Sequence, residues 1–142
     1  MFTRPPERNA DLIRLLRGLR ADPTLTVPLH ESLFSAQLWA LIEAPAPIAD
    51  MSFLTYPSPD GLRELPVFTA EDRALLRQLA AESGALPTEV SGPAFWQKML
   101  DVAKTGECEV AVDPGEAHGI RVPLQMALGM VQMYGSASAT NI

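Results

Sequence analysis

The sequence predicts an α+β fold in which helices cover a mixed sheet of about five strands. Apolar residues recur at helical spacing in some segments and at strand spacing in others, and the two kinds are interspersed along the chain. An Asp-Gly pair between two apolar runs predicts a β-hairpin, so at least one strand pair is antiparallel. With 142 residues and no internal linker, we expect a flexible arm over 1–8, one domain over 9–134 and a mobile tail over 135–142.

Periodicity and turn residues place each element. Helices are predicted where apolar residues at helical spacing lie between a capping residue and a glycine or proline. They run from Asn9 to the Asp22-Pro23 pair, over 26–35, from Thr69 to Gly84, over 93–103 and over 123–134. Strands are predicted where short apolar or alternating runs are bounded by turn residues. They cover 37–42, 51–56, 63–68, 86–90, 108–112 and 120–122.

A few positions have specific predicted roles in this plan. Asn9 and Thr69 are predicted to cap helices, because their side-chain oxygens can accept a free backbone N–H. The Asp60-Gly61 pair is predicted to form the tight turn of the hairpin. Pro66 predicts that its strand lies at the sheet edge or carries a bulge, because proline cannot donate to a strand ladder.

The composition excludes several classes of protein. Hydrophobic residues make up 47% of the chain and charged residues 20%, which is typical of a globular domain and not of a disordered one. No apolar run reaches the ~20 residues that span a bilayer. The single cysteine excludes an intramolecular disulfide and an all-cysteine zinc site. Because the N-terminus also has no apolar stretch of signal-peptide length, we expect a bacterial-style cytoplasmic protein with a reduced thiol.

Charge is unevenly distributed along the chain. The net charge is −6, yet the first 20 residues hold five arginines against only two acidic residues. An acidic body repels phosphate backbones, so we expect no nucleic acid and no membrane as partners. Arg14, Arg17 and Arg20 fall opposite the apolar stripe of the first helix. They are predicted either to form an ordinary solvated face or to bind an acidic partner, including a second copy of the chain.

The last predicted helix is apolar and rich in methionine. Met126, Met130 and Met133 recur near helical spacing. Flexible thioethers either fill gaps in a core or line an adaptable binding surface, and the sequence leaves both interpretations open. A helix that is apolar all round must be buried, so an edge position would predict a partner helix or a dimer seam.

Few side chains are candidates for chemistry. Strand alternation puts Cys108 on the same side as Val110 and Val112, which indicates a buried structural thiol. His118 is the nearest base for a nucleophilic role. Asp113, Glu116 and His118 supply three possible metal ligands within six residues, but their spacing matches no known loop. No nucleophile elbow and no glycine-rich phosphate loop occurs. The sequence therefore assigns no catalytic residue, no metal and no cofactor.

The run LPVFTA at 65–70, followed by a predicted helix, resembles the signature of the SseB family N-terminal domain. The other parts follow in the family's order: the Asp60-Gly61 turn, the apolar helix over 95–103, and a strand closing in a turn over 110–115. The resemblance extends over about 9–131. It implies an α+β domain in a bacterial cytosol and no catalytic residues.

The sequence departs from the family pattern at two places. Asp113 stands where the pattern has asparagine, and no proline directly follows the strand over 38–42. Taken together, the observations favour a non-enzymatic protein-interaction module that binds a partner protein or a second copy. The alternative is a small enzyme or a ligand- or metal-binding domain that uses Cys108, His118 and the 113–116 loop.

Overall fold

A mixed sheet forms the centre of the computed structural model, which describes residues 9–19, 21–103 and 108–135. Its strands are β1 (Gln37–Ile42), β2 (Tyr56–Pro57), β3 (Arg63–Phe68), β4 (Leu86–Ser91), β5 (Cys108–Val112) and β6 (Ile120–Val122). The order across the sheet is β4-β1-β3-β5-β6, and β2 pairs with β3 as a hairpin. Only β3 and β5 are parallel; every other described pair is antiparallel. The predicted α+β class is confirmed.

Five α-helices pack on this sheet within the described part of the chain. They are α1 (Ala10–Gly18), α2 (Thr26–Ser35), α3 (Ala74–Ser83), α4 (Gly92–Ala103) and α5 (Leu124–Met130). Helix α5 continues as a π-helical turn over Val131–Gly135. Short 3₁₀ turns lie at Pro23–Leu25 and Ile48–Asp50. None of the described helices is long and apolar enough to cross a bilayer.

Strand alternation divides the core into two parts. The larger cluster joins Leu38 and Val67 of the sheet to α1, α2, α4 and α5, with Trp96 fully buried at its centre. The smaller cluster joins Leu41 and Phe68 to Leu76 of α3. Successive strand residues point to opposite faces, so α3 packs on the face opposite the other four helices.

The predicted bounds of β1, β3, β5, β6 and α2 are confirmed to the residue. Gly84 ends α3 in the left-handed conformation at φ 74°, as predicted. The hairpin turn is also confirmed: Gly61 has φ 85°, and the N–H of Ser58 donates to the carbonyl of Leu62. The predicted arm over 1–8, Arg20 and residues 136–142 of the predicted tail over 135–142 lie outside the described residues, whereas Gly135 belongs to the π-helical turn.

Pro66 lies in an inner strand, so its predicted edge position is wrong. Strand β5 pairs along one side of β3, and β1 and β2 share the other side. The register with β2 ends at Glu64 and that with β1 begins at Val67. Pro66 lies between these two paired segments, so its lack of an N–H removes no hydrogen bond to β1 or β2.

The strand predicted over 51–56 is wrong except at its end. This segment makes one isolated bridge, from Phe53 to Ile42, before β2 begins at Tyr56. The N–H of Leu54 donates to the carbonyl of Leu41 at 2.9 Å. The segment therefore binds the part of β1 that β3 does not pair with, but it does not form a full strand.

Asn9 occupies the predicted N-cap position of α1 but lacks the predicted side-chain hydrogen bond there, and the prediction that Thr69 caps a helix is wrong. Neither Asn9 nor Thr69 makes a side-chain hydrogen bond to the start of a helix. Helix α3 begins at Ala74, five residues after Thr69, with Arg73 in the cap position. Both side chains instead bind partners far away in sequence at one edge of the sheet.

Candidate functional site

The ends of β3 and β5 bring the central polar residues together. Because the two strands are parallel, the residues that follow them, Thr69 and Asp113, leave the sheet at the same edge. The N–H of Asp113 donates to the carbonyl of Val67 at 2.8 Å. Asp113 then turns the chain in the left-handed conformation at φ 48°, which aspartate tolerates better than most residues. Its carboxylate is fully buried.

Three side chains surround the Asp113 carboxylate. Oδ1 accepts the Thr69 N–H at 2.8 Å, and Oδ2 accepts the Thr69 hydroxyl at 2.5 Å. His118 Nε2 lies 2.6 Å from Oδ2; because the carboxylate accepts there, we assign the Nε2 proton to His118. Arg73 Nη2 lies 3.6 Å from Oδ2 and donates to the Thr69 hydroxyl oxygen at 2.8 Å. A buried charge is thus compensated by hydrogen bonds and a guanidinium.

Asn9 fastens α1 to the same edge. Its side-chain amide donates to the carbonyls of Gln37 and Thr69, both at 2.8 Å. Gln37 begins β1, which runs antiparallel to β3 and therefore starts where β3 ends. We call Asn9, Thr69, Arg73, Asp113 and His118 the Asp113 network.

The Asp113 network has a structural role, because it holds separate elements of the fold together. His118 is 93% buried, and it lines a cavity of about 330 Å³ together with Leu16, Leu19 and Ile120 and with the charged residues Arg17 and Glu116. Both oxygens of Asp113 already accept hydrogen bonds from the protein. The network therefore joins β3, β5 and α1 and holds the Arg73 side chain in place.

The predicted metal ligands are only partly brought together. Asp113 and His118 are in contact, whereas Glu116 is exposed on the turn between them. Among the residues that the structure describes, no group of three or more His, Cys, Asp or Glu side chains is arranged to hold a metal ion.

Cys108 lies far from His118. The thiol begins β5 and Asp113 follows the end of that strand, so about 13 Å of β5 separates the two regions. Cys108 is half-buried against the larger core cluster, and burial raises the pKa of its thiol. The Glu109 carboxylate adds to that rise, and the Arg63 guanidinium opposes it.

The raised pKa of Cys108 predicts slow thiol chemistry at neutral pH. Only the thiolate attacks a disulfide reagent, so a raised pKa lowers the reactive fraction at pH 7. We expect labelling of the folded protein to be slow at pH 7 and to accelerate at a higher pH than in urea. The measurement is the rate of reaction with a chromogenic disulfide as a function of pH. Native labelling at pH 7 as fast as in urea would contradict it.

The arginine face predicted for the first helix is present over the described residues. Arg14 and Arg17 are exposed on α1, while Arg20 lies outside the described part of the chain. Arg14 makes an exposed ion pair with Asp11 at 3.2 Å. Arg14 and Arg17 line a groove of about 260 Å³ together with Ala10, Ile13 and Arg73. We call this the arginine groove.

The three methionines have different environments. Met130 is 1% exposed and belongs to the larger core cluster, so its thioether fills the core and does not reach a partner. Met126 is partly buried against the same cluster. Met133 is 66% exposed. Of the three, only Met133 lies mainly on the surface.

Sequence reasoning missed Asn9, Thr69 and Arg73 as members of the Asp113 network. Asn and Thr before a helix are frequent caps, so a local interpretation took precedence. The available signal was that two predicted strands are each followed directly by a polar residue, Thr69 and Asp113. Pairing those ends required knowing that β3 and β5 are parallel neighbours.

Comparison with known proteins identifies the family. The family model described as SseB protein N-terminal domain matches residues 12–126, which includes all six strands, most of α1 and the first three residues of α5. No curated protein and no solved structure matches the chain. The match covers most of the sequence and agrees with the resemblance of the 65–70 run. The chain therefore belongs to the SseB family, through its N-terminal domain.

Proposed function

We propose that this SseB-family domain is a non-enzymatic interaction module that binds an acidic segment of a partner protein through the arginine groove. The observation that carries the proposal is the placement of Arg14 and Arg17 on an exposed helix face above a concave surface. A bacterial cytoplasm is the setting we propose for it.

Charge supports an acidic ligand for this surface. The chain as a whole carries −6, so a cluster of arginines is a local exception. Arg17 has no ion pair with any residue that the structure describes, and the only such partner of Arg14 is the exposed Asp11. Exposed pairs of this kind contribute little to stability, so an incoming carboxylate can compete for Arg14.

The surroundings of the reactive side chains favour binding over catalysis. The Asp113 carboxylate is fully buried and His118 nearly so, and their contact serves the architecture. Cys108 is half-buried with a raised thiol pKa and lies at the other end of β5. A nucleophile, a base and an open cavity are thus not gathered at one place among these residues.

The test is binding of a fluorescent peptide of glutamate and glycine, measured by anisotropy at low ionic strength. We expect saturable binding that weakens as salt is added. The double variant Arg14→Gln with Arg17→Gln should weaken it by about tenfold or more, because two charge-assisted contacts are lost.

A matched control distinguishes the effect of losing the groove arginines from the effect of changing the net charge. Gln97→Glu with Gln125→Glu gives the same net charge as the arginine variant, at exposed positions of α4 and α5 that do not line the groove. The control should bind the peptide within a few-fold of the parent. Equal weakening in both variants, or no saturable binding at all, would refute the proposal. Light scattering distinguishes self-association, which would appear as a dimer that the arginine variant abolishes.

A further inference from the structure

The second ring nitrogen of His118 is not used by the Asp113 network. Nε2 lies 2.6 Å from Asp113 Oδ2, whereas Nδ1 makes no hydrogen bond to any residue that the structure describes. Within the same residues, neither ring nitrogen is both buried and without a partner. Nδ1 is therefore open to the cavity of about 330 Å³ that His118 lines, which we call the His118 cavity. In the neutral imidazole with its proton on Nε2, Nδ1 is a hydrogen-bond acceptor.

The side chains around this acceptor are mainly apolar. Leu16 and Leu19 line the His118 cavity from α1 and its C-cap, and Ile120 lines it from β6. Ligand cavities typically combine apolar walls with a few polar groups that fix the orientation of the ligand. An acceptor among apolar walls fits a group that is apolar except for one hydrogen-bond donor. An aromatic ring that carries a hydroxyl has this composition.

Arg17 connects the His118 cavity with the arginine groove, because it lines both of them. In an extended peptide, side chains two positions apart point to the same side and lie about 7 Å apart. A segment whose acidic residue binds in the arginine groove can therefore place the side chain two positions away in the His118 cavity. Glu116 also lines this cavity, so a neutral side chain fits there better than a second acidic one.

We propose that the His118 cavity receives a tyrosine side chain of the partner segment, two positions from an acidic residue that binds in the arginine groove. This inference rests on the proposed function and specifies its ligand. The ring packs against the apolar walls, and the phenolic hydroxyl donates to His118 Nδ1, since a buried tyrosine hydroxyl requires a partner. Phenylalanine lacks the donor and leaves Nδ1 desolvated and unpaired.

The experiment compares three fluorescent peptides of glutamate and glycine that differ only at one position, two residues from a glutamate. This position holds tyrosine, phenylalanine or alanine, and each peptide is made with it on the N-terminal and on the C-terminal side of that glutamate. In one of the two orientations, anisotropy should show tyrosine at least about tenfold tighter than phenylalanine and alanine. Equal affinity of the tyrosine peptide and either of the others in both orientations would overturn the inference while the proposed function stands. If no peptide binds, both fail.

Ala117→Leu tests the cavity without changing His118. Ala117 is exposed and lines the His118 cavity, so a larger side chain should narrow the cavity while the fold is retained. The variant should lower the affinity for the tyrosine peptide to that for the alanine peptide, and it should leave the alanine peptide unaffected. Ala81→Leu is the matched control, since Ala81 is exposed on α3 and lines neither the cavity nor the groove. A tyrosine preference that survives in Ala117→Leu, or is lost equally in Ala81→Leu, would contradict the assignment to this cavity.

Discussion

Replacing Asp113 with alanine is expected to lower the free energy of unfolding by about 3–5 kcal/mol. The change leaves the Thr69 N–H and hydroxyl and His118 without their shared acceptor in a buried place, and it removes the carboxylate that lies 3.6 Å from the Arg73 guanidinium. It also forces alanine into a backbone conformation at φ 48° that aspartate and asparagine tolerate better. The measurement is urea unfolding followed by tryptophan fluorescence.

Asp113→Asn removes the charge of the side chain but keeps its shape, so it measures the contribution of the charge alone. Asparagine retains the turn conformation and can still accept the Thr69 N–H, but it removes the negative charge beside the Arg73 guanidinium. We therefore expect a loss of stability smaller than that of Asp113→Ala.

Asp11→Asn serves as the control for the Asp113 variants, since Asp11 pairs with Arg14 at the surface. It should shift the unfolding midpoint little. An Asp113→Ala protein as stable as the Asp11 variant would show that the network does not join the sheet edge.

Gly92→Ala is expected to destabilise the domain, by about 1–3 kcal/mol or more. A Cβ atom at this position would lie 2.2 Å from the carbonyl oxygen of Phe34 and 2.5 Å from that of Ala36. Both neighbours are backbone atoms, so α2 and α4 must separate to admit the methyl group. The expected sign is notable because Gly→Ala within a helix ordinarily stabilises it.

Gly129→Ala is the matched control within another helix. Nothing lies within 4 Å of the Cβ position there, and Gly129 is exposed on α5. We expect a gain in stability of up to about 1 kcal/mol, because alanine restricts the unfolded chain and favours the helix. Thermal unfolding of both variants followed by circular dichroism should give shifts of opposite sign. Two shifts of the same sign would contradict the close approach of α2 and α4.

Hydrophobic periodicity was sufficient to predict the bounds of most helices and strands. The alternation in β5, the continuous apolar run of β1 and the helical stripe of α4 each point to one element type. The prediction for 51–56 failed because β-forming residues there pair only at Phe53 before the hairpin. The prediction that Pro66 lies in an edge strand was wrong because Pro66 falls between the residues of β3 that pair with β2 and those that pair with β1. Its missing N–H therefore interrupts neither pairing.

The candidate site was predicted less completely than the fold. Arg14 and Arg17 were identified from the sequence, because the polar side of an amphipathic helix can be read from spacing alone. Arg73 was not, because its place in the groove depends on Thr69 and Asp113, which are 44 residues apart and meet only in the folded chain. The sequence proposed Asp113 and His118 together as metal ligands; the structure brings them together as a buried pair.

The amino-acid sequence by itself determined the class of fold, the family and the exposed arginines of α1. These properties depend on local spacing, turn chemistry and the order of short motifs. Only the tertiary structure decided which strand ends are neighbours, and hence that Thr69, Arg73 and His118 converge on Asp113 while Asn9 binds the Thr69 carbonyl. The physical reason is that the parallel pairing of β3 with β5 is a long-range contact, which leaves no periodic signal in either strand.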